Sequence, residues 1–356
     1  METSNRLLGE GGTMNRFLAV IAVLMLVGLG FLGRNIYTLL NEHQLENTMR
    51  SHEKFAESQN DKFVVYVENY SVDYFDSLEE AVDFAKQNER STVVKAGSRV
   101  TLWHNLPPFN VFLNGKAAFS EFYTFAEAVE FAKTAPTALI YHRLDNMLIW
   151  SSRDVLPSES RIENVPLILQ NPELPRGCEV TSLAMLLNYK GVAVSKMTLA
   201  EQVAHDPTPL TRKNGQTFYG NPNKGFVGDM RNLSNNGFGV YHKPIHDLLQ
   251  EYFPQSSLDL TGADFEDLLH FISNGTPVWV ITNATYVPRP PSDFRTWFHD
   301  EGQITTTNWL HSVLMTGYDE LYIYFNDPLG RVSYAEIENF KTAWEQMGRQ
   351  AVTLSA

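Results

Sequence analysis

The chain of 356 residues contains a single cysteine, Cys178. No disulfide can form within the chain, and a structural zinc site built from several cysteines is excluded. The fold therefore depends on an apolar core, for which 43% hydrophobic and 12% aromatic residues are ample material. A lone thiol is either a small buried residue or a nucleophile, and the functional question turns on that choice.

The charge balance is strongly acidic, with 41 Asp and Glu against 28 Lys and Arg and a formal net charge of −13. Binding of nucleic acid without sequence preference requires a basic surface that attracts phosphates. We therefore expect no nucleic-acid partner.

A run of seventeen residues without a charge, 17–33, lies between Arg16 and Arg34. As a helix it would measure about 25 Å, the short end of what crosses a bilayer. No A-x-A-like cleavage site follows it directly. We predict an uncleaved, single-pass signal anchor in 1–35 and a linker in 36–60, with the rest of the chain outside the cell membrane on a Gram-positive-type surface. Cleavage would instead give a secreted protein.

A tandem repeat follows, in which residues 63–105 and 110–152 match at a constant offset of 47. Each copy predicts a strand–helix–strand–strand unit whose helix begins with a capping box. We interpret 61–152 as a two-copy α+β module, either a spacer or a partner-binding domain. Residues 153–165 are predicted to link it to a last domain, 166–356. The matched positions include Phe75 with Phe122, Phe84 with Phe131, and Trp103 with Trp150.

Cys178 stands at the predicted start of a helix in this last domain. Prolines at 172 and 175 keep the approach extended, Gly177 permits a tight entry, and apolar residues then recur at helical spacing up to Gly191. A helix N-terminus stabilises a thiolate and lowers its pKa, and its free N–H groups can form half of an oxyanion hole. From position alone, a buried structural cysteine and a nucleophile remain equally open.

Among ten histidines, His311 has the most suggestive context because it opens the predicted strand 311–316. A turn at 317–320 and a second strand, 322–327, predict a hairpin. If the hairpin is centred on Asp319, Asp327 lies directly opposite His311, and Asn326 points to the other face. A carboxylate there would orient the imidazole. The alternative is a polar pair that merely caps the end of the hairpin.

The run from Leu169 to Val203, containing LPRGCEVTSLAMLLNYKG, resembles the peptidase C39-like family, the standalone relatives of the bacteriocin-processing cysteine peptidases. Further blocks match in the same order through most of 160–356. These blocks are GNPNKGFVGDM at 220–230, GADFEDLLHFISNGTPVWV at 262–280, HSVLMTGYD at 311–319, NDPLG at 326–330 and FKTAWEQMGRQAV at 340–352.

The resemblance implies a papain-like α+β fold, with the cysteine on a helix and the histidine and aspartate on an antiparallel sheet. Carried over residue by residue, the catalytic triad is Cys178, His311 and Asp327, with Gln170 in the oxyanion position. In the transporter-linked members this glutamine lies closer to the cysteine, whereas Gln170 lies eight residues upstream. The chain has no G-x-x-x-x-G-K-[ST] motif, so the resemblance does not imply bacteriocin export.

Three functions are compatible with these residues. The first is a membrane-anchored extracytoplasmic cysteine peptidase acting on a peptide or protein substrate. The second is a cell-wall amidase or acyltransferase that uses the same triad, and the third is a non-catalytic peptide-binding module. No cofactor or metal is expected, because one Cys, one His and one Asp match no common ligand spacing. Two segments, 205–241 and 286–303, are candidate walls of the substrate site.

Overall fold

The computed structural model describes residues 62–98 and 101–355. The predicted signal anchor and its linker lie outside these residues. No helix within the described ranges is long and apolar enough to cross a membrane. The chain divides into two compact units between residues 100 and 101, with the second copy of the repeat inside the larger, C-terminal unit.

The described part of the first unit is a small antiparallel sheet with one helix. Its strand order is β2-β1-β3, and a bulge interrupts the β1–β2 pairing after Val65. Ser77 caps the helix by accepting a hydrogen bond from the Glu80 N–H. The elements are β1 (Phe63–Val67), β2 (Tyr70–Phe75), α1 (Leu78–Ala85) and β3 (Ser91–Lys95).

The second unit opens with strand β4 (Thr101–His104) and a four-stranded sheet in the order β6-β5-β7-β8. The helix beside this sheet begins with a complete capping box, because Thr124 and Glu127 each accept from the other's backbone N–H. The elements are β5 (Phe109–Leu113), β6 (Lys116–Ala117), α2 (Phe125–Ala132), β7 (Ala138–His142) and β8 (Leu148–Ser151).

The core of the domain is a seven-stranded sheet in the order β14-β21-β15-β18-β19-β20, with β9 beside one end of β18. Neighbouring strands along this path are antiparallel. The strands are β9 (Ser160–Arg161), β14 (Ser257–Asp259), β15 (Val278–Asn283), β18 (Leu310–Tyr318), β19 (Tyr322–Asn326), β20 (Tyr334–Glu336) and β21 (Ala351–Leu354).

Five helices and two smaller sheets complete this unit. The helices are α3 (Cys178–Tyr189), α4 (Lys196–Gln202), α5 (His242–Tyr252), α6 (Phe265–Ser273) and α7 (Ile337–Gln346). One small sheet pairs β10 (His205–Asp206) with β13 (Phe226–Val227). The other, ordered β11-β12-β16-β17, is formed by β11 (Thr211–Lys213), β12 (Gln216–Phe218), β16 (Phe294–His299) and β17 (Gly302–Thr307), with a 3-10 turn at Pro291–Asp293.

Strand β15 is buried along its whole length and separates two apolar clusters. Val278 and Val280 belong to the cluster that contains α6 and α7, whereas Trp279 and Ile281 belong to the cluster that contains α3. Because successive residues of a strand point to opposite faces, the sheet is covered by helices on both sides. The α+β expectation for this region is thereby met.

The second repeat copy shares the apolar cluster of α6 and α7. Phe125 contacts Phe271 edge to face, with ring centroids 5.7 Å apart. The Trp150 indole N–H donates to Asp267 Oδ1 at 3.0 Å, and Lys133 Nζ lies 2.9 Å from Asp267 Oδ2. This copy therefore buries its helix and sheet against the last domain.

The segment expected to be a linker, 153–165, also contributes to the central sheet. Ser160 and Arg161 pair with Tyr318 and Gly317 of β18, and the Ile162 N–H donates to Thr316 O at 2.8 Å. The Arg161 guanidinium lies over the ring of Tyr324, 3.0 Å from its centroid. The end of this segment is thus anchored on the strand that also carries His311.

We predict that Asp267→Ala lowers the free energy of unfolding by about 2–3 kcal/mol, because the buried Trp150 N–H loses its acceptor and Lys133 keeps only the exposed carboxylate of Asp264. Urea unfolding followed by tryptophan fluorescence measures the loss. Asp247→Ala is the matched control, since Asp247 forms only an exposed ion pair with Lys243; it should cost less than about 1 kcal/mol. Equal losses in the two variants would contradict the prediction.

Candidate active site

Helix α3 begins at Cys178, as the sequence predicts, and Gly177 is its N-cap. A β-carbon at position 177 would lie 2.6 Å from Leu174 Cβ, so the approach is tight enough to require glycine. The first turn of α3 packs against β18, where the Ser182 hydroxyl donates to Ser312 O at 3.2 Å. This packing brings the thiol to the strand that carries His311.

His311 and Asp327 form a buried pair. His311 Nε2 lies 2.7 Å from Asp327 Oδ1, and the two residues are 2% and 1% exposed. The Leu329 N–H also donates to Asp327 Oδ1, at 2.8 Å. With Nε2 engaged by the carboxylate, Nδ1 is the imidazole nitrogen left for proton transfer. The ring of Tyr286 packs beside the imidazole, with centroids 6.1 Å apart.

The predicted hairpin register is wrong, although the predicted His–Asp contact is present. Leu314 pairs with Asn326, and a bulge follows Met315, so Asp327 does not lie directly opposite His311. The cross-strand partner of His311 is Thr282 on β15. The error amounts to two positions along the strand, which preserves the face. Asp327 therefore reaches His311 from just beyond the end of β19.

Asn326 points away from the imidazole. Its Nδ2 donates to Val165 O at 3.1 Å and to Pro166 O at 3.0 Å. These bonds anchor the entry segment of the domain on β19. Asn326 thus has a structural role that is separate from the His311–Asp327 pair.

Asp327 is suited to remain ionised. Burial alone would raise the pKa of Asp327, but the hydrogen bond and charge of His311 and the Leu329 N–H together hold it below its usual value. An ionised Asp327 accepts the hydrogen bond of His311 Nε2 and orients the imidazole.

The thiol has an environment opposite to the one expected from its place at a helix N-terminus. Burial raises the pKa of Cys178 well above its usual value, and the charge and hydrogen bond of Glu179 raise it further. The N–H groups of Ser312 and Cys178 lower it, but they do not compensate. The desolvation of the thiol and the neighbouring carboxyl outweigh the helix dipole, and neither is evident from the position of the cysteine at a helix start.

Glu179 is the functional candidate that the sequence analysis missed. Its side chain is fully buried, and its Oε2 accepts a hydrogen bond from Cys178 Sγ at 3.2 Å. A glutamate in the first turn of a helix usually indicates an exposed residue that compensates the helix dipole. The pattern therefore gave no signal that this carboxyl is buried beside the thiol.

Gln170 lies next to the site but is bonded elsewhere. Its Nε2 donates to Pro175 O at 2.9 Å and to Leu174 O at 3.2 Å, and its buried Oε1 has no hydrogen-bond partner. The Gln170 backbone N–H donates to Pro328 O, which joins this segment to the loop after Asp327. An oxyanion role would require one amide hydrogen to leave its carbonyl partner.

Gln170, Cys178 and His311 line one cavity of about 360 Å³. The first candidate wall, 205–241, contributes three lining residues to it, whereas the second, 286–303, contributes none. The remaining lining residues are mostly apolar in type, but the lining surface as a whole is about equally polar and apolar. The other residues are Pro175, Arg176, Leu233, Gly237, Phe238, Ala284, Asn308, Leu310 and Leu329.

Arg176 holds the first wall in place. Its guanidinium donates to the backbone carbonyls of Asp229, Asn232, Leu233 and Asn235 at 2.9–3.2 Å. These carbonyls are neutral, so the guanidinium keeps its positive charge beside the cavity that it lines. The wall is therefore positioned by the residue two places before the thiol.

A possible metal-ligating group among the described residues lies away from this cavity, at His299, Asp300 and Glu301 in the β16–β17 turn. Lys224 Nζ lies 3.1 Å from Asp300 and 2.9 Å from Glu301, and so already compensates these carboxylates. The group has no connection to Cys178.

Comparisons with known proteins support the relationship that the sequence blocks suggested. An uncharacterised protein of Bacillus subtilis (strain 168), YvpB, is 47% identical over 184 residues, which cover 51% of this chain and 70% of that protein. A crystal structure of a protein assigned as a C39-like peptidase from Bacillus anthracis is 42% identical, with a TM-score of 0.52. That match covers 56% of this chain and 98% of the other.

The model of the peptidase C39-like family matches residues 162–352, a range that includes the thiol, the His–Asp pair and both helix-covered faces of the central sheet. The mixed α/β architecture of the C-terminal unit agrees with this match. The chain therefore belongs to the peptidase C39-like family.

Proposed function

We propose that the chain is an extracytoplasmic cysteine peptidase that hydrolyses peptide bonds through Cys178, His311 and Asp327. The observation that carries this proposal is the placement of the thiol and of an imidazole hydrogen-bonded to aspartate in one cavity. Membership of a peptidase family adds support. The mixed polar and apolar lining suits an extended peptide, whose backbone amides are polar and whose side chains are partly apolar.

In the proposed mechanism, His311 Nδ1 accepts the proton of the Cys178 thiol and the thiolate attacks the scissile carbonyl carbon. The Cys178 N–H, at the start of α3, stabilises the oxyanion, and Gln170 assists when its amide turns from Pro175 O. His311 then protonates the leaving amine, and a water molecule hydrolyses the acyl-enzyme. Asp327 holds the imidazole orientation throughout.

Labelling with a peptidyl epoxide at weakly acidic pH, followed by mass mapping of the adduct, tests the nucleophile. We expect one adduct on Cys178, and we expect His311→Ala to slow its formation by about a hundredfold or more. Peptide libraries then test turnover, and Cys178→Ala should abolish it. Labelling that is unaffected by His311→Ala, or cleavage by Cys178→Ala, would refute the proposal.

We predict different effects for the two neighbours at the end of β19. Asp327→Ala should lower kcat by about a hundredfold or more with little change in KM, because the loss falls on the transition state. Asn326→Ala should leave kcat nearly unchanged and cost about 1–2 kcal/mol of stability through the lost bonds to Val165 and Pro166.

Steady-state kinetics on any cleaved peptide compares the two variants, and Asp327→Asn serves as an isosteric check on folding. An inactive Asn326→Ala beside an active Asp327→Ala would assign the third position of the triad to the asparagine.

The proposed location is the outer face of the cell membrane, with the charge-free run 17–33 as the anchor. The full chain should stay with the membrane fraction through a salt wash and keep its N-terminus. Replacing Leu24 and Leu26 by arginine should release it, because two charges in the run oppose insertion. An intact domain in the medium that begins near residue 35 would show cleavage instead.

A further inference from the structure

Glu179 has no part in the mechanism above, yet its carboxyl is in contact with the thiol. Oε2 accepts from Cys178 Sγ at 3.2 Å, and Oε1 accepts from the Val240 N–H at 3.0 Å. The side chain is 0% exposed. Burying a charged carboxyl costs free energy, so its presence beside the thiol indicates a functional role.

The carboxyl is confined by the loop that carries Gly239 and Val240. A β-carbon on Gly239 would lie 2.3 Å from Glu179 Oε1, so a larger residue at 239 would displace the carboxyl from this position. The Trp279 indole N–H donates to the backbone carbonyl of Glu179 at 3.0 Å. Because the carboxyl is buried and in contact with the thiol, a change in the charge of Glu179 acts directly on Cys178.

Burial raises the pKa of Glu179 to about 7, against smaller lowering effects of the Val240 N–H, its own N–H and the thiol. This carboxyl therefore changes its charge near neutral pH. Its charge can then affect whether the neighbouring thiol ionises, and so how reactive the thiol is.

Other ionisable groups near this turn are engaged elsewhere. His311 is paired with Asp327, and the Arg176 guanidinium is bound to four carbonyls. The 229–241 loop, β18 and helices α4 and α5 carry further groups, none of which hydrogen-bonds to the Glu179 carboxyl. These groups are Asp229, Arg231, Tyr241, Tyr318, Lys196, Glu201, His242, Lys243, His246, Asp247, Glu251 and Tyr252.

We propose that Glu179 is a positioning residue that controls the ionisation of Cys178. As a carboxylate it accepts the thiol hydrogen bond and keeps the thiol neutral. As a carboxylic acid it donates to the sulfur instead, so that the thiol proton moves to His311 Nδ1 and a thiolate–imidazolium pair forms. The added proton comes from solvent, and no other bond changes. The proposal concerns the nucleophile of the proposed function, but thiol ionisation is measurable without a substrate.

The sign of the pH effect follows from the charges. As pH rises through the range in which Glu179 ionises, its negative charge disfavours a second negative charge on sulfur. The reactivity of Cys178 towards iodoacetamide should therefore fall between about pH 6 and about pH 8. An ordinary thiol shows a rise over this range, because its thiolate fraction grows towards a pKa of about 8.5.

Glu179→Gln removes the negative charge of the side chain and keeps its shape. The amide can accept from the Val240 N–H and donate to the sulfur, and it stays neutral at every pH. Alkylation of this variant should not fall with pH, and at about pH 8 it should exceed the wild-type rate by about tenfold or more, the effect of one pKa unit. Glu173→Gln is the matched control, because Glu173 is a half-exposed carboxylate five residues before Cys178 that pairs only with Lys196. It should keep the wild-type profile.

A second measurement uses the wild-type chain and does not depend on the folding of a variant. Since Cys178 is the only cysteine, the ultraviolet absorbance of its thiolate can be read against a Cys178→Ser blank. This difference should shrink as pH rises from about 6 to about 8. Growth of the difference, together with superimposable wild-type and Glu179→Gln alkylation profiles, would overturn the proposal. A slower Glu179→Gln at every pH would also overturn it.

These results can be told apart from failure of the proposed function. The predicted alkylation profile without cleavage of any peptide would leave the control by Glu179 intact and refute the peptidase. If the chain cleaves peptides but its alkylation rate rises with pH as for an ordinary thiol, the peptidase function stands and the control by Glu179 is refuted.

Discussion

The contact of the first two turns of helix α3 with strands β15 and β18 determines the geometry of the candidate site. The Ser182 hydroxyl bonds to Ser312 O, and the Trp279 indole bonds to the carbonyl of Glu179. These buried polar contacts fix the rotation and height of the helix on the sheet, which apolar packing alone would leave less specific. The thiol, the imidazole and the buried carboxyl all depend on that placement.

Local sequence patterns were sufficient to predict the helix and the hairpin that carry the site, but not the direction in which the pKa of its thiol is shifted. Gly177 and the apolar spacing after Cys178 predicted the helix start, and the alternation after His311 predicted the hairpin. The hairpin turn is centred between Glu320 and Leu321 rather than on Asp319, which shifts the pairing by three positions. The bulge after Met315 takes one of them back, so Asp327 is misplaced by two. The parity of the strand still preserved its face.

Burial explains most of what the sequence could not predict. Whether Glu179 faces solvent or the Val240 N–H depends on a loop sixty residues away in the chain. In the same way, the sequence assigns the second repeat copy to a separate module, whereas in the structure its Trp150 is hydrogen-bonded to Asp267 of the last domain. Both cases are long-range pairings of a polar group with a buried partner, which periodicity does not encode.

Arg176 binds the cavity wall only through backbone carbonyls, those of Asp229, Asn232, Leu233 and Asn235. Carbonyls are common to all residues, but Asp229 Oδ1 accepts from the Arg231 and Asn232 N–H groups and Asn235 Nδ2 donates to Asp229 Oδ2, so these polar side chains hold the loop that presents the carbonyls. The spacing of the four carbonyls is constrained as well, because an insertion or deletion would move some of them out of reach of Arg176. In evolution this wall should therefore keep its length and these polar residues, while the cavity-lining side chain of Leu233 can vary.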